Sequence, residues 1–134
     1  MRKALVLLLA SAALAACATN RMSDDARLAL YSAHAGAPVN DIRYNNPIGW
    51  EKIDDDHLLL TMRPSEAYLL RISGPCLDWA AGTPTIIVSN NLNRLSAKFD
   101  RISVPGNPAS CRIEEIRPVD VAAVRDARDA MAAG

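Results

Sequence analysis

The amino-acid sequence predicts an α+β fold: a small antiparallel sheet of five or six strands, flanked by an N-terminal and a C-terminal helix, with one disulfide. Two observations carry the architecture. Apolar residues recur at helical spacing around residue 30 and again after residue 120, and with a period of two in the stretch between. No helical segment separates the strands, as the crossovers of a parallel sheet would require.

Ser23 is placed to cap a first helix over Ser23 to Ala35, with Asp24 and Asp25 where carboxylates favour the helix dipole. Leu28, Tyr31 and Ala35 make its apolar stripe, and Gly36 followed by Pro38 stops it. Ile42 and Tyr44 then alternate with Asp41 and Arg43, and Leu58, Leu60 and Met62 share a face of the next strand. Arg63-Pro64-Ser65-Glu66 reads as a turn, so Ala67 to Ile72 returns as the second arm of a hairpin. After the break at Gly74-Pro75, Thr85 to Ser89 is a short β-branched run, followed by a polar turn of Asn90, Asn91 and Asn93. Leu95, Ala97 and Phe99 alternate with Ser96 and Lys98, and Ile102 with Val104 continues the pattern past Asp100. Pro105-Gly106-Asn107-Pro108 is the clearest turn. Cys111, Ile113 and Ile116 form the last strand, and Pro118 with Asp120 introduces a second helix whose face carries Val121, Val124, Arg128 and Met131.

The N-terminal segment is of a different kind. Arg2 and Lys3 precede an apolar run from Ala4 to about Leu14, the layout of a secretory signal and too short for a membrane span. The tetrapeptide Leu14-Ala15-Ala16-Cys17 resembles the bacterial lipobox. That resemblance implies a diacylglycerol on the Cys17 thiol, cleavage before it, and acylation of the new amino group. Residues 1–16 are thus expected to be a signal peptide, 17–22 a lipidated N-terminus and short tether, and 23–134 a single globular domain. Ala18, rather than aspartate, after the lipidated cysteine favours the outer membrane over the inner one.

Cleavage at that site removes Arg2 and Lys3 and leaves 13 basic against 15 acidic side chains, with no basic patch to suit nucleic acid. Cys76 and Cys111 would then lie in an oxidising compartment and are expected to pair. They lack the Cys-x-x-Cys spacing of redox or zinc sites. Trp79 is expected to pack on the bridge.

The region after Cys17 is also similar to a family of small bacterial lipoproteins known only as a domain of unknown function. The matching pieces are Ala37-Pro38-Val39, Ile42-Arg43-Tyr44, a tryptophan turn at Gly49-Trp50, Arg63-Pro64 leading to Ala67-Tyr68-Leu69-Leu70, Gly74-Pro75-Cys76, Lys98-Phe99-Asp100-Arg101, Cys111-Arg112-Ile113 and Ile116-Arg117-Pro118-Val119-Asp120. The resemblance implies an envelope address and the Cys76–Cys111 disulfide. It brings no activity or substrate.

One dense polar cluster, Asp54-Asp55-Asp56-His57, has the donor types of a divalent-cation site but not EF-hand spacing, and reads first as a solvated hairpin turn. His34 and His57 are the only candidate bases. Serines stand at Ser65, Ser73, Ser89, Ser96 and Ser103, yet no Gly-x-Ser-x-Gly, Ser-x-x-Lys or His-Glu-x-x-His occurs, so no catalytic residue is assigned. Asp100 is expected to pair with Arg112 or Arg117. Tyr44, Trp50 and Tyr68 are core anchors or the lining of an apolar groove. The sequence thus points to a non-catalytic envelope lipoprotein with no cofactor, whose partners are the bilayer, through acylated Cys17, and an envelope protein. The alternative is a periplasmic ligand- or metal-binding protein using the turn from Asp54 to His57 and the nearby aromatics.

Overall fold

The computed structural model describes residues 21–77 and 85–134, which form an α+β domain. Helix α1 spans Asp24–Ala33; its N-cap is Ser23, whose hydroxyl accepts the Ala26 N–H at 3.2 Å. Eight strands follow: β1 (Asp41–Arg43), β2 (Gly49–Lys52), β3 (His57–Arg63), β4 (Glu66–Ile72), β5 (Ile87–Val88), β6 (Arg94–Ser96), β7 (Arg101–Ser103) and β8 (Ser110–Val119). Helix α2 (Val121–Ala133) closes the chain, capped by the Asp120 carboxylate, which accepts the Ala123 N–H at 3.0 Å.

Six strands make one antiparallel sheet in the order β2-β3-β4-β8-β7-β5, and β1 pairs with β6 as a separate two-stranded ribbon. Strand β8 joins the two halves of the sheet. Its far part lies against β4, its near part against β7, and the change of partner falls near a register shift at Arg71/Ile72. Such irregularities increase local twist, and the sheet curls.

Both faces of the central strands are covered. On one, Leu58, Leu60, Leu70 and Ile116 pack with Ile42 and Leu95 of the ribbon and with Ile102 and Ile113. On the other, Leu69 and Val119 meet Leu30 and Tyr31 of α1 and Val124 of α2. A strand buried on two sides is apolar at successive positions, which explains Leu58-Leu59-Leu60 and Tyr68-Leu69-Leu70. Cys76 and Cys111 are joined, both buried, and tie the segment after β4 to β8.

Three expectations need correction. Gly49-Trp50 is not a turn; it opens β2, with Trp50 opposite Leu60. The run from Leu95 to Val104 is not one strand: β6 ends at Ser96, the chain turns through Lys98 at φ +74°, and Phe99 stands 82 % exposed. The Asp100 carboxylate accepts the Ser96 N–H at 2.6 Å and closes that turn. Pro118 does not begin the helix but continues β8. It lies opposite Tyr68, and its carbonyl accepts the Gly36 N–H at 2.8 Å on the other side, so the missing amide proton removes no bond to β4.

The polar turn between β5 and β6 is a two-residue reversal in which Asn91 and Arg94 exchange both backbone hydrogen bonds at 3.0 Å. Leu92 and Asn93 occupy its centre at φ +51° and +60°. Asparagine tolerates that region; leucine is uncommon there.

Candidate functional site

The acidic cluster forms the β2–β3 turn. The N–H groups of Ile53 and Asp54 donate to the His57 carbonyl at 3.0 and 3.3 Å. The Asp54 carboxylate accepts the Asp56 N–H at 2.9 Å and the His57 Nδ1–H at 2.9 and 3.1 Å. Partial burial pushes the Asp54 carboxyl up, but the hydrogen bonds from His57 and Asp56 outweigh it and hold the group below its ordinary range. Asp55 pairs with Lys52 at 3.2 Å. The Asp54 and Asp55 carboxylates therefore serve separate partners, and among the described residues no group of three or more His, Cys, Asp or Glu side chains could hold a metal ion.

His34 is the C-cap of α1, and its carbonyl accepts the Asp120 N–H at 2.9 Å, joining the end of α1 to the start of α2. Of the candidate serines, the hydroxyl of Ser73 accepts the Arg112 N–H, and that of Ser89 bridges Asp100 and the Arg101 N–H. The expected ion pair of Asp100 with Arg112 or Arg117 is not formed. Arg112 pairs with Glu114 at 2.8 Å, while Arg117 donates to the carbonyls of Ser32, Ala35 and Gly36 around the end of α1. A guanidinium gathering several carbonyls leaves a local turn carboxylate to find its donors nearby.

Tyr44 and Trp50 do come together. They line a cleft of about 200 Å³ with Pro47, Ile48, Leu60 and Ile86. Tyr68 follows Trp50 and Leu60 across neighbouring strands, but its hydroxyl donates to Glu66 at 2.8 Å. The residues of the turn from Asp54 to His57 do not line this cleft.

A second cleft, of about 230 Å³, lies on the helix-covered face between α1, α2 and the sheet. Leu59, Ala67, Val119 and Val124 give it apolar walls, and Arg125, Arg128 and Asp129 stand along α2 beside it. Tyr31 closes one side. Its hydroxyl donates to Glu51 Oε2 at 3.1 Å and accepts a hydrogen bond from Arg128, whose guanidinium lies over the ring at 5.2 Å. Glu51 Oε1 in turn accepts from Arg27 at 2.6 Å, and Arg27 also donates to the Lys52 and Ile53 carbonyls. This chain of contacts links α1, β2 and α2. Sequence reading placed Tyr31 and Arg128 on helix faces but missed their junction, because the two lie 97 positions apart.

Among the described residues no helix is long and apolar enough to cross a membrane. Cys17, with the rest of the lipobox, and Trp79 lie outside the described residues. No curated protein and no solved structure matches this chain. The model of a family of unknown function, DUF6491, matches residues 1–134, so the chain belongs to that family.

Proposed function

We propose that this protein is a lipid-anchored component of a bacterial cell envelope, and that its domain is a non-catalytic interaction module facing the periplasm. The observation that carries the reading is Leu14-Ala15-Ala16-Cys17 behind Arg2, Lys3 and an apolar run. The joined pair Cys76 and Cys111 supports it, since disulfides persist in oxidising compartments. Helix α1 begins at Asp24, so the link from Cys17 to the Ser23 cap can span about 20 Å at full extension. A domain tethered so briefly works beside the bilayer. Acylation at both the thiol and the amino group of Cys17 would supply the two membrane signals that stable anchoring needs.

The alternative built on the acidic turn loses its geometric premise, because the cleft holding Tyr44 and Trp50 is lined by other residues. Metabolic labelling with an alkyne fatty acid, with mass spectrometry of the mature N-terminus, tests the anchor. The expected product begins at an acylated Cys17 and fractionates with the outer membrane, and the version carrying Cys17→Ser behind an ordinary signal is soluble and unlabelled. An unlabelled protein that retains Met1 would overturn it. A crosslinked pull-down from whole envelopes, comparing the intact protein with a soluble periplasmic version carrying Cys17→Ser behind an ordinary signal, then tests the interaction reading through a partner whose capture depends on the anchor.

A further inference from the structure

We propose that the cleft between α1, α2 and the sheet binds an aliphatic monocarboxylate, with the alkyl chain against Leu59, Ala67, Val119 and Val124 and the carboxylate between Arg125 and Arg128. The inference does not depend on acylation of Cys17.

The sheet side of the cleft comes from β3, β4 and the end of β8 and the helix side from α2, and apart from Thr61 on β3 the walls between them are apolar. Val119 and Val124 belong to the cluster of core residues beneath the helices, so the cleft opens from the core rather than lying on a polar surface. Its 230 Å³ is the room of about eight waters at ~30 Å³ each, which suits a chain of about six to eight carbons.

The charge beside this apolar space is cationic. Among the described residues Arg125 has no ion-pair partner, and Arg128 is hydrogen-bonded to a phenol, not to a carboxylate. The nearby Glu51 is already engaged by Arg27 and Tyr31. Asp129 also lines the cleft, and among the described residues it makes no ion pair with either arginine, leaving a net charge of +1 from these three side chains. A single carboxylate complements that charge, and the planar guanidinium fork matches its two oxygens. A neutral alcohol would fill the same apolar space without using the arginines, and an alkylammonium would be repelled. The cleft therefore discriminates by head group as well as by chain.

The test uses the protein carrying Cys17→Ser behind an ordinary cleavable signal, so that neither an acyl group nor the N-terminal apolar run is attached, and follows side-chain methyl resonances by NMR during titration with octanoate. Saturable shifts are expected at Leu59, Ala67, Val119 and Val124, with weaker binding of octanol and none of octyltrimethylammonium. Arg125→Gln, at an exposed position that leaves the Tyr31 contacts in place, is expected to weaken octanoate by about tenfold. It should leave octanol unchanged, and Arg125→Lys should recover part of the loss. The unperturbed methyl spectrum of each variant establishes that it is folded. Absence of saturable shifts at millimolar octanoate overturns the proposal. So does equal binding of the three head groups, or an octanoate affinity indifferent to Arg125→Gln in a folded variant.

Discussion

Tyr31 is almost wholly buried, yet its oxygen sits between a carboxylate and a guanidinium. Burial pushes the phenol up, Glu51 pushes it further, and Arg128 pulls it back, with a net rise. Burial also raises Tyr44, while burial followed by the Glu66 hydrogen bond pushes Tyr68 up to about 12. These are the three tyrosines of the chain, so none is expected to ionise at the ordinary value of 10.0. Each native pKa lies above its unfolded one, so the stabilising share is complete below about 10 and is lost as pH rises through the native value. An alkaline titration followed by phenolate absorbance should show no transition near 10 while the domain is folded, and Tyr68→Phe should lessen the loss of stability at high pH. A phenolate step at 10 in the folded protein would contradict this account. Local pattern placed Tyr31 on the inner face of its helix correctly. It could not supply Glu51 and Arg128, because a partner brought in by tertiary packing leaves no spacing to read. Asp100 teaches the converse: its donor, the Ser96 amide, is only four positions away, and the turn it closes was legible had the strand pattern not been followed through it.

Helix α2 shows how little holds an element whose ends are well marked. Of the expected face, Val124 is buried but Met131 is 53 % exposed, and many of the remaining residues are alanine. A helix of thirteen residues is marginal by itself, so the cap and the contact of Arg128 with Tyr31 matter out of proportion to their size. Asp120→Ala should cost about 1 kcal/mol, seen as a lower thermal midpoint with reduced helicity, and Asp120→Ser should restore most of it. Unchanged melting of the alanine variant would show that the helix is held by packing alone. The caps Ser23 and Asp120 are chemical marks, and they made both helices readable. Strand β2 carries no comparable mark, with four residues of even, intermediate burial and no alternation, whereas β5, only two residues long, lies inside the β-branched run from Thr85 to Ser89.

At the scale of the molecule, α+β architecture followed from the order of the segments, but the sheet order did not. Placing β8 between β4 and β7 depends on pairings between distant segments. The covering of both faces turned strict alternation into apolar runs, which identify a buried strand without naming its neighbours. The disulfide fastens this arrangement where β8 meets the segment after β4, its cysteines 35 positions apart. Cys76→Ser should lower stability by about 4 kcal/mol in the chain-entropy description, a large part of the 5 to 15 kcal/mol typical of a domain. Urea unfolding of the variant, compared with the parent before and after reduction, measures it. A midpoint equal to that of the oxidised parent would show that the bridge contributes nothing.

The position of β8 also sets when this protein can fold. The strand that joins the two halves of the sheet is the last of the eight described strands, and it carries Cys111 with it. A chain emerging from the ribosome N-terminus first can form the β3–β4 hairpin early, but the edge of β4 must wait for β8, which follows β5, β6 and β7. Until then, that edge has open backbone groups and Cys76 has no thiol from β8 to meet. The sheet is therefore completed only once the segment through Val119 has emerged, and until then the half-made sheet is the state that needs protection from its neighbours.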